Sequence, residues 1–283
     1  MILRDKILKS NKVKKLVRRW LPQGVRDALN RLFGYAIYFR GVFDDWQSAQ
    51  ADAGGYSEDL LVKRLCTAAR EVREGNAAWE QDGMVWDHIP SDMPTFAAMA
   101  RVALAQGGRI SVLDFGGGLG CGYFQCRAFL PDSTFRSWAV VEQPKLVNFG
   151  AKEISRDALR FFHSIQDALA WKEPDVAFFS GVLQFLEDPW KTLNCIIDSG
   201  IPYLIIDRHP CTMTRELITV QVIPSSMYSA SYPSWLFDCP RMLERLGEHY
   251  DLLASWDGKD PAIRGWGIGA EFRGYFFKRH GVP

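Results

Sequence analysis

A glycine-rich turn constrains the fold of this chain more than any other segment. The apolar run Val112–Leu113 leads into Asp114, and Gly116, Gly118 and Gly120 follow at every second position. This pattern is typical of a buried strand that stops at an acid and enters a tight turn. Glycines in such a turn let bare backbone approach a ligand.

The spacing of these glycines excludes the dinucleotide-binding pattern G-x-G-x-x-G. A pattern that began at Gly116 would have Cys121 as its third glycine, and one that began at Gly118 would have Tyr123. A dinucleotide site must seat a pyrophosphate. We therefore predict a ligand without phosphate, namely a nucleoside that carries an amino-acid tail. The alternative is a turn that serves close packing and binds nothing.

An acid follows the next apolar run. Ser137–Val141 ends at Glu142, which lies 22 residues after Gly120. An acid about 20 residues past the turn, at the end of the second strand, can accept both hydroxyls of a ribose. The turn and this acid together resemble the nucleoside site of class I S-adenosylmethionine-dependent methyltransferases. The resemblance implies S-adenosyl-L-methionine as cofactor, with Asp114 and the three glycines on its methionine and ribose side and Glu142 holding the ribose.

Apolar runs and helical patterns alternate from residue 109 onward. Five runs are predicted as parallel strands: 110–114, 138–142, 159–163, 176–179 and 203–207. Two later runs, 250–256 and 273–278, resemble the antiparallel hairpin that closes the methyltransferase sheet. We predict an α/β, Rossmann-like fold with a seven-stranded, mostly parallel sheet, a C-terminal antiparallel hairpin and an N-terminal helical extension. Ligands then bind beyond the carboxyl ends of the strands.

The domain organisation follows from charge and periodicity. Residues 1–40 are predicted as a basic amphipathic helical segment, residues 41–108 as a helical cap, and residues 109–283 as the methyltransferase domain. The first 19 residues hold eight Lys or Arg against one acid, with apolar residues at helical spacing. Residues 1–21 are expected to contact an anionic membrane surface. A solvated helix or a disordered tail is the alternative.

Composition excludes several classes of protein. A net charge of +1 over 283 residues argues against general nucleic-acid binding. No apolar run is long enough to span a bilayer, and no secretory signal is visible. The six cysteines contain no C-x-x-C pair, so we expect reduced thiols and no metal site. The predicted location is the cytoplasm, with peripheral contact at the inner face of the cytoplasmic membrane.

A candidate base follows the fifth strand. A hydroxyl acceptor of a methyl group needs a general base within hydrogen-bond reach. We predict His209 as this base because a neutral imidazole is available at pH 7. Asp207 would orient the imidazole or serve as base itself, and Arg208 would bind an acidic group of the acceptor. Alternatively, Asp207 and Arg208 form a structural ion pair and His209 caps a turn.

Two further residues are candidates for cofactor binding. Gln184 follows the fourth strand, which in methyltransferases lies beside the transferred methyl group. Asp167 follows the third strand and could reach the adenine amino group. The alternatives are that Gln184 packs a loop and that Asp167 is an exposed acid at a helix start.

An aromatic segment rich in Pro and Ser is the candidate acceptor site. Tyr228, Tyr232 and Trp235 lie within residues 224–235, which we predict as a loop over the active site. Aromatic faces suit the apolar face of a sugar. A surface loop tied down by its own aromatics is the alternative.

Several blocks are similar to a narrower family of methyltransferases that are often encoded among bacterial surface-polysaccharide genes. These blocks include Gly41–Phe43, Ser180–Phe185, Ile205–Arg208 and Tyr232–Trp235. The resemblance implies an O-methyltransferase that acts on a sugar hydroxyl of a surface glycan or of its lipid-linked precursor. The alternatives are a methyltransferase for an amine or a natural product, and a non-catalytic binding subunit. The sequence leaves the oligomeric state open.

Overall fold

A computed structural model of the chain describes residues 37–54, 58–223, 230–265 and 268–282. Its helices are α1 (Trp46–Asp52), α2 (Glu58–Arg73), α3 (Met93–Ala105), α4 (Cys121–Arg127), α5 (Pro144–Phe149), α6 (Ile165–Trp171), α7 (Pro189–Asp198) and α8 (Cys239–Gly247). The membrane segment predicted at residues 1–21 lies outside the described residues, as does Tyr228.

The strands in the same ranges form one large sheet and a separate hairpin. They are β1 (Tyr38–Phe43), β2 (Trp79–Gln81), β3 (Met84–Trp86), β4 (Ile110–Phe115), β5 (Phe135–Val141), β6 (Leu159–Phe162), β7 (Val176–Ser180), β8 (Tyr203–Thr212), β9 (Leu217–Ile223), β10 (Ala230–Asp238), β11 (Tyr250–Asp257), β12 (Ile263–Gly265) and β13 (Ile268–Arg279). Strands β2 and β3 form the hairpin.

Seven strands of the large sheet have the predicted mostly parallel arrangement. Their order is β6-β5-β4-β7-β8-β13-β11, in which β6 to β8 run parallel. Strand β13 is antiparallel to both β8 and β11, as the predicted C-terminal hairpin requires. The chain order reverses between β4 and β7. In an open α/β sheet, this reversal opens a crevice at the carboxyl ends of the two strands.

The parallel strands are buried on both faces. Val112 and Phe178 pack into one core with α2 to α5, whereas their neighbours Leu113 and Phe179 pack into the other core with α6 to α8. Successive side chains of a strand point to opposite faces, so a strand covered by helices on both sides is apolar throughout. This is why the five predicted runs were recognisable.

Four further strands enlarge the sheet beyond the prediction. Strands β9 and β10 lie between β8 and α8 in the chain, β1 pairs with β9, and β12 pairs with β13. The predicted loop over the active site is therefore wrong for Tyr232 and Trp235, which lie in β10 opposite β9. Every third residue of β10 is only partly buried, so the segment lacks the two-residue alternation that identifies a strand.

The N-terminal boundaries also differ from the prediction. Strand β1 crosses the expected border at residue 40 and belongs to the large sheet. The cap after it is not wholly helical, since the β2–β3 hairpin lies between α2 and α3. Asp82 and Gly83 form its turn with φ of 54° and 72°. An Asp-Gly pair in left-handed backbone is the usual two-residue hairpin turn.

Two cysteines contradict the expectation of reduced thiols. Cys211 and Cys239 form a disulfide with a Cα–Cα distance of 5.4 Å. They lie together because the end of β10 pairs with Cys211 and Thr212, just before α8 begins at Cys239. The two are 28 residues apart in sequence, so spacing alone gave no sign of the pair. Among the described residues, no helix is long and apolar enough to cross a membrane.

Candidate functional site

The turn after β4 has the backbone that its glycines predict. Gly116, Gly118 and Gly120 have φ of 71°, 58° and 89°, a region that side chains other than glycine rarely adopt. A Cβ at Gly116 would lie 2.3 Å from Val182 Cγ2, whereas one at Gly118 would meet nothing within 4 Å. Gly118 therefore presents bare backbone to open space, and Gly116 lets the turn pack closely.

The side chain of Asp114 packs against the turn. Its carboxylate accepts a hydrogen bond of 2.8 Å from Trp138 Nε1, and a Cβ at Gly117 would lie 2.3 Å from its Oδ2. Burial raises the pKa of Asp114 to about 7, and the Trp138 hydrogen bond opposes this rise. The residue lines the cleft described below, on the side where a methionine tail was predicted.

Glu142 lies against the other edge of the turn. Its carboxylate accepts hydrogen bonds from the backbone N–H of Gly118 and of Gln143, the latter at 2.7 Å. Burial raises its pKa and these two hydrogen bonds lower it. The structure thus brings the predicted ribose acid to the glycine turn, directly after β5. Its contact with a ribose stays a prediction.

A cleft of about 220 Å³ lies between this turn, the end of β8, the β2–β3 hairpin and the loop after β11. Its charged lining is mostly acidic, with seven carboxyl groups against Arg208 and Lys259. The acids are Glu80, Asp82, Asp92, Asp114, Asp207, Asp257 and Asp260. An excess of acids in a partly closed site favours a cationic ligand, because field lines are focused there.

A bulge near the end of β8 decides which residues face this cleft. Arg208 has φ of 58°, and the pairing with β13 shifts there, from Ile206–Tyr275 to His209–Arg273. An extra residue in a strand reverses the alternation of side chains beyond it. Asp207 and Arg208 consequently both line the cleft, whereas His209 points to the opposite face of the sheet.

Asp207 is a buried carboxyl group that lines the cleft. Its Oδ1 accepts a hydrogen bond of 2.9 Å from Trp256 Nε1 on β11. Burial, together with the nearby charge of Asp92, raises its pKa to about 6. The indole of Trp256 lies over Gly274, where any Cβ would be 2.1 Å from the ring. Gly274 therefore gives Trp256 the room to reach Asp207.

The predicted role of His209 as the base is contradicted. The residue is fully buried, and its Nε2 accepts a hydrogen bond of 3.1 Å from the backbone N–H of Leu183. Burial lowers its pKa to about 3, so it is a neutral core residue. The prediction took β8 to end at Asp207, but the strand runs on to Thr212 and carries His209 into the second core.

Arg208 lines the cleft, but its charge is already balanced. Its Nε donates to Asp260 Oδ2 at 2.9 Å. The same guanidinium donates to the side-chain oxygen of Gln81 when the amide is turned so that its oxygen and its nitrogen both have partners. Lys259, in the same loop as Asp260, lies 3.6 Å from Asp92. These pairs join the cap, β8 and the loop after β11 around the cleft. An acidic acceptor group is not needed to neutralise Arg208.

Two predicted cofactor residues lie away from the cleft. Gln184 is buried in a short 3-10 turn, Leu183–Phe185, which packs against β10. Asp167 accepts a hydrogen bond of 2.6 Å from Ser164 Oγ and completes the N-terminal cap of α6. Gln184 therefore packs a loop and Asp167 is an exposed acid at a helix start, which are the alternative interpretations given for them from the sequence.

The aromatic residues predicted for sugar binding have internal partners. Trp235 stacks on Trp46 and donates a hydrogen bond of 2.9 Å to the Leu186 carbonyl. Tyr232 packs edge-on against Phe185. Neither lines the cleft. These contacts hold both residues at β10, within the large sheet. Tyr232 and Trp235 therefore do not support the predicted acceptor site.

Sequence reasoning missed the residues that close the cleft. Glu80 and Asp92 come from the cap, Trp256 comes from β11 and Lys259 from the loop after it, all far from the glycine turn in sequence. The one local signal was the Asp-Gly pair between two short apolar runs, which predicts the hairpin that carries Glu80. Within the described residues, no group of three acids, histidines or cysteines is arranged to hold a metal ion.

Comparison with known proteins finds only distant structural similarities. No protein-family model and no curated protein sequence matches the chain. Among solved structures, the chain is similar to the Burkholderia thailandensis 1,6-didemethyltoxoflavin N1-methyltransferase, with 15% identity, 79% of this chain and 91% of that chain covered, and a TM-score of 0.41. It is also similar to the magnesium protoporphyrin IX methyltransferase of Synechocystis PCC 6803, with 13% identity, 94% and 96% covered, and a TM-score of 0.40.

A third similar structure is CalS10, an amino pentose methyltransferase from Micromonospora echinaspora. It has 11% identity, 67% of this chain and 92% of that chain covered, and a TM-score of 0.39. The Synechocystis and Micromonospora structures contain bound S-adenosylmethionine, and the Burkholderia structure contains S-adenosylhomocysteine. The three proteins act on different acceptors, so the likeness indicates no acceptor for this chain.

Proposed function

We propose that this chain is an S-adenosyl-L-methionine-dependent O-methyltransferase. The observation that carries the proposal is the glycine turn after β4, which has bare left-handed backbone at Gly118 and lies between Glu142 and the acidic cleft. These groups fit the cofactor chemically. Glu142 suits a ribose, and the excess of acids suits a ligand that carries a sulfonium and an ammonium group.

The chemistry requires little of the protein beyond position and a base. S-adenosyl-L-methionine supplies a methyl group that is already activated on its sulfonium. The residues of the cleft hold the reactants in place and limit the access of water. For a hydroxyl acceptor, a carboxylate must also accept the proton as the oxygen becomes a nucleophile.

Asp207 is proposed as this base. It lines the cleft, and the hydrogen bond from Trp256 fixes its carboxylate. Its pKa of about 6 makes it mostly ionised at neutral pH and more basic than an ordinary aspartate. A base with a pKa near the working pH is efficient in proton transfer. Trp256 acts as a positioning residue, since it touches the base and not the reacting atoms.

The acceptor is proposed to be a sugar hydroxyl of a bacterial surface glycan or of its lipid-linked precursor. This part of the proposal is supported by the sequence blocks Ser180–Phe185, which begins at the last residue of β7, and Ile205–Arg208, which lies in β8. Ser180 and Arg208 from these blocks line the cleft. Tyr232 and Trp235 do not line the cleft and are not part of the proposed acceptor site.

An amine methyltransferase is the second candidate. The ionised acids of the cleft favour it, because carboxylates attract a protonated amine and Asp207 can accept its proton. The two candidates differ in the acceptor atom. Amino and hydroxyl forms of otherwise matched sugars, offered with labelled methyl donor, discriminate between them.

The first experiment is calorimetry with S-adenosylhomocysteine on the full chain. We expect binding by the wild type and a loss of roughly tenfold or more in Glu142→Ala, because the hydroxyls of a ribose lose a charged acceptor. Glycan screening with labelled donor follows. Absence of binding would remove the proposed function, and binding without turnover of any acceptor would favour a non-catalytic subunit.

We also propose that residues 1–21 hold the protein at an anionic membrane surface, where lipid-linked glycans are built. The support is the basic, amphipathic sequence of this segment. Co-sedimentation with anionic vesicles should fall when residues 1–22 are removed, and equal pelleting of both forms would reject the contact. Alkylation of Cys211 and Cys239 in freshly lysed cells tests the cytoplasmic location, since disulfides are rare there.

A further inference from the structure

Glu80 is a buried acid of the cleft whose hydrogen bonding is incomplete. It lies in β2, is 6% exposed, and its Oε2 has no hydrogen-bond partner among the described residues. Its strand is fixed beside the glycine turn because Trp79 Nε1 donates to the Cys121 carbonyl at 3.3 Å. An unpartnered buried carboxyl oxygen costs free energy and requires an explanation.

The other acids of the cleft do not share this feature. Five of them form a hydrogen bond or an ion pair with another side chain. The pairs are Asp114–Trp138, Asp207–Trp256, Asp260–Arg208, Asp92–Lys259 and Asp257–Arg273. Asp82 is exposed at the tip of the hairpin, where water solvates it. The structure of the protein therefore accounts for these six acids, whereas Glu80 keeps one buried carboxyl oxygen without a partner, which indicates a ligand.

We infer that Glu80 binds the ammonium group of the cofactor's amino-acid tail, an inference that rests on the proposed function. Glu80 and the turn Gly116–Gly118 line the same cleft. A sulfonium has no proton to donate, whereas an ammonium has three donors, and a hydrogen bond between two charged groups is strong. Of the cofactor's two cationic groups, only the ammonium completes the hydrogen bonding of Oε2.

The titration of Glu80 agrees with this role. Burial, together with the charge of Asp82, raises its pKa to about 8. Among the residues that the structure describes, the cationic side chains lining the cleft are Arg208 and Lys259, which are engaged by Asp260 and Asp92. A bound cation beside Glu80 supplies the missing positive charge and lowers this pKa. The cap hairpin would thus help to recognise the end of the cofactor opposite to its ribose.

Calorimetry with two ligands tests the inference. S-adenosylhomocysteine carries the amino-acid tail and no sulfonium, whereas 5′-methylthioadenosine lacks the tail. In Glu80→Gln, we expect the affinity for S-adenosylhomocysteine to fall about tenfold or more, because a charged hydrogen bond is lost. The affinity for 5′-methylthioadenosine should change by less than about twofold, since the base and ribose contacts are untouched.

Asp87→Asn is the matched control. It removes an exposed acid that directly follows the same hairpin but does not line the cleft, and it should change both affinities by less than about threefold. Thermal unfolding checks that each variant is folded. Glu80→Asp, which keeps the charge on a shorter side chain, should lose part of the preference for the ligand with the tail.

Three results would overturn the inference. An unchanged affinity of Glu80→Gln for S-adenosylhomocysteine shows that Glu80 does not bind the tail. An equal loss for both ligands shows that Glu80 serves the structure of the cap and not recognition. Failure of the wild type to bind either ligand removes the proposed function as well, and is therefore distinguishable from the first two results.

Discussion

The two sides of the cleft are built in different ways. The glycine turn is made from consecutive residues, and its backbone needs only Asp114, the glycines and the neighbouring Glu142. The opposite side is assembled from distant parts of the chain, since Asp207 depends on Trp256, which lies 49 residues away. A local motif can be recognised in a sequence, whereas a constellation of distant residues exists only after folding. The variants below test whether this division also separates binding from catalysis.

The largest expected effect lies on the assembled side. Asp207→Asn should lower turnover by about 10²- to 10⁴-fold, because it removes a general base and keeps the shape of the side chain. Methyl transfer from labelled donor measures the rate. The affinity for S-adenosylhomocysteine should stay within about threefold, since Asn keeps the shape of the side chain and the glycine turn is unaltered. A large loss of affinity would show that the two sides are not separable.

A pair of glycine variants tests the local side. Gly116→Ala should lower the stability of the protein more than Gly118→Ala. Both place a side chain in left-handed backbone, at a cost of about 1–2 kcal/mol, but only the first collides with Val182. Gly118→Ala should instead weaken S-adenosylhomocysteine binding about tenfold, because its methyl group takes the open space beside the bare backbone. Denaturant unfolding measures the stabilities and calorimetry measures the affinities. The double variant Gly116→Ala with Val182→Ala should recover part of the lost stability, and no recovery would mean that Val182 is not the obstacle.

The pH dependence of turnover tests the link between Trp256 and Asp207. Since the ionised carboxylate is the base, kcat/KM should rise with pH through about 6 and level off above it. The Trp256 hydrogen bond lowers this pKa, so Trp256→Phe should move the rise to higher pH. The profile is measured with labelled donor. An unshifted profile would indicate that another group is the base.

The smallest effect on turnover is expected at His209. His209→Gln should keep the rate within about threefold, because the imidazole lies on the other face of the sheet and Gln also offers an acceptor to Leu183. Stability should fall by up to about 3 kcal/mol, the cost of an imperfectly satisfied buried group. Denaturant unfolding measures this loss. A folded variant with turnover reduced more than a hundredfold would restore His209 as the base.

Prediction from sequence succeeded where the requirement is local or periodic. The five parallel strands were found because both faces of each are buried, and the glycine turn because only glycine adopts its backbone readily. It failed where one residue changed the register. An Arg in left-handed conformation at position 208 has no sequence signature, yet it moves His209 from the cleft into the core.

Strands β1, β9 and β10 of the large sheet show the same limit of prediction from sequence. Tyr232 and Trp235 lie among Pro and Ser residues that are typical of loops, and their strand is recognisable only from its pairing with β9. The disulfide between Cys211 and Cys239 also depends on that pairing. Strand pairing between distant segments is decided by packing and not by local preference.

The sequence by itself determined where the five parallel strands lie along the chain, and it determined the glycine turn and the acid that follows β5. It could do so because periodic burial and steric limits on the backbone act over a few residues. The tertiary structure alone decided which carboxyl groups meet in the cleft, that Asp207 and not His209 faces it, and that Glu80 is buried there without a full set of hydrogen bonds. The physical reason is that burial and charge at these residues are set by segments far away along the chain.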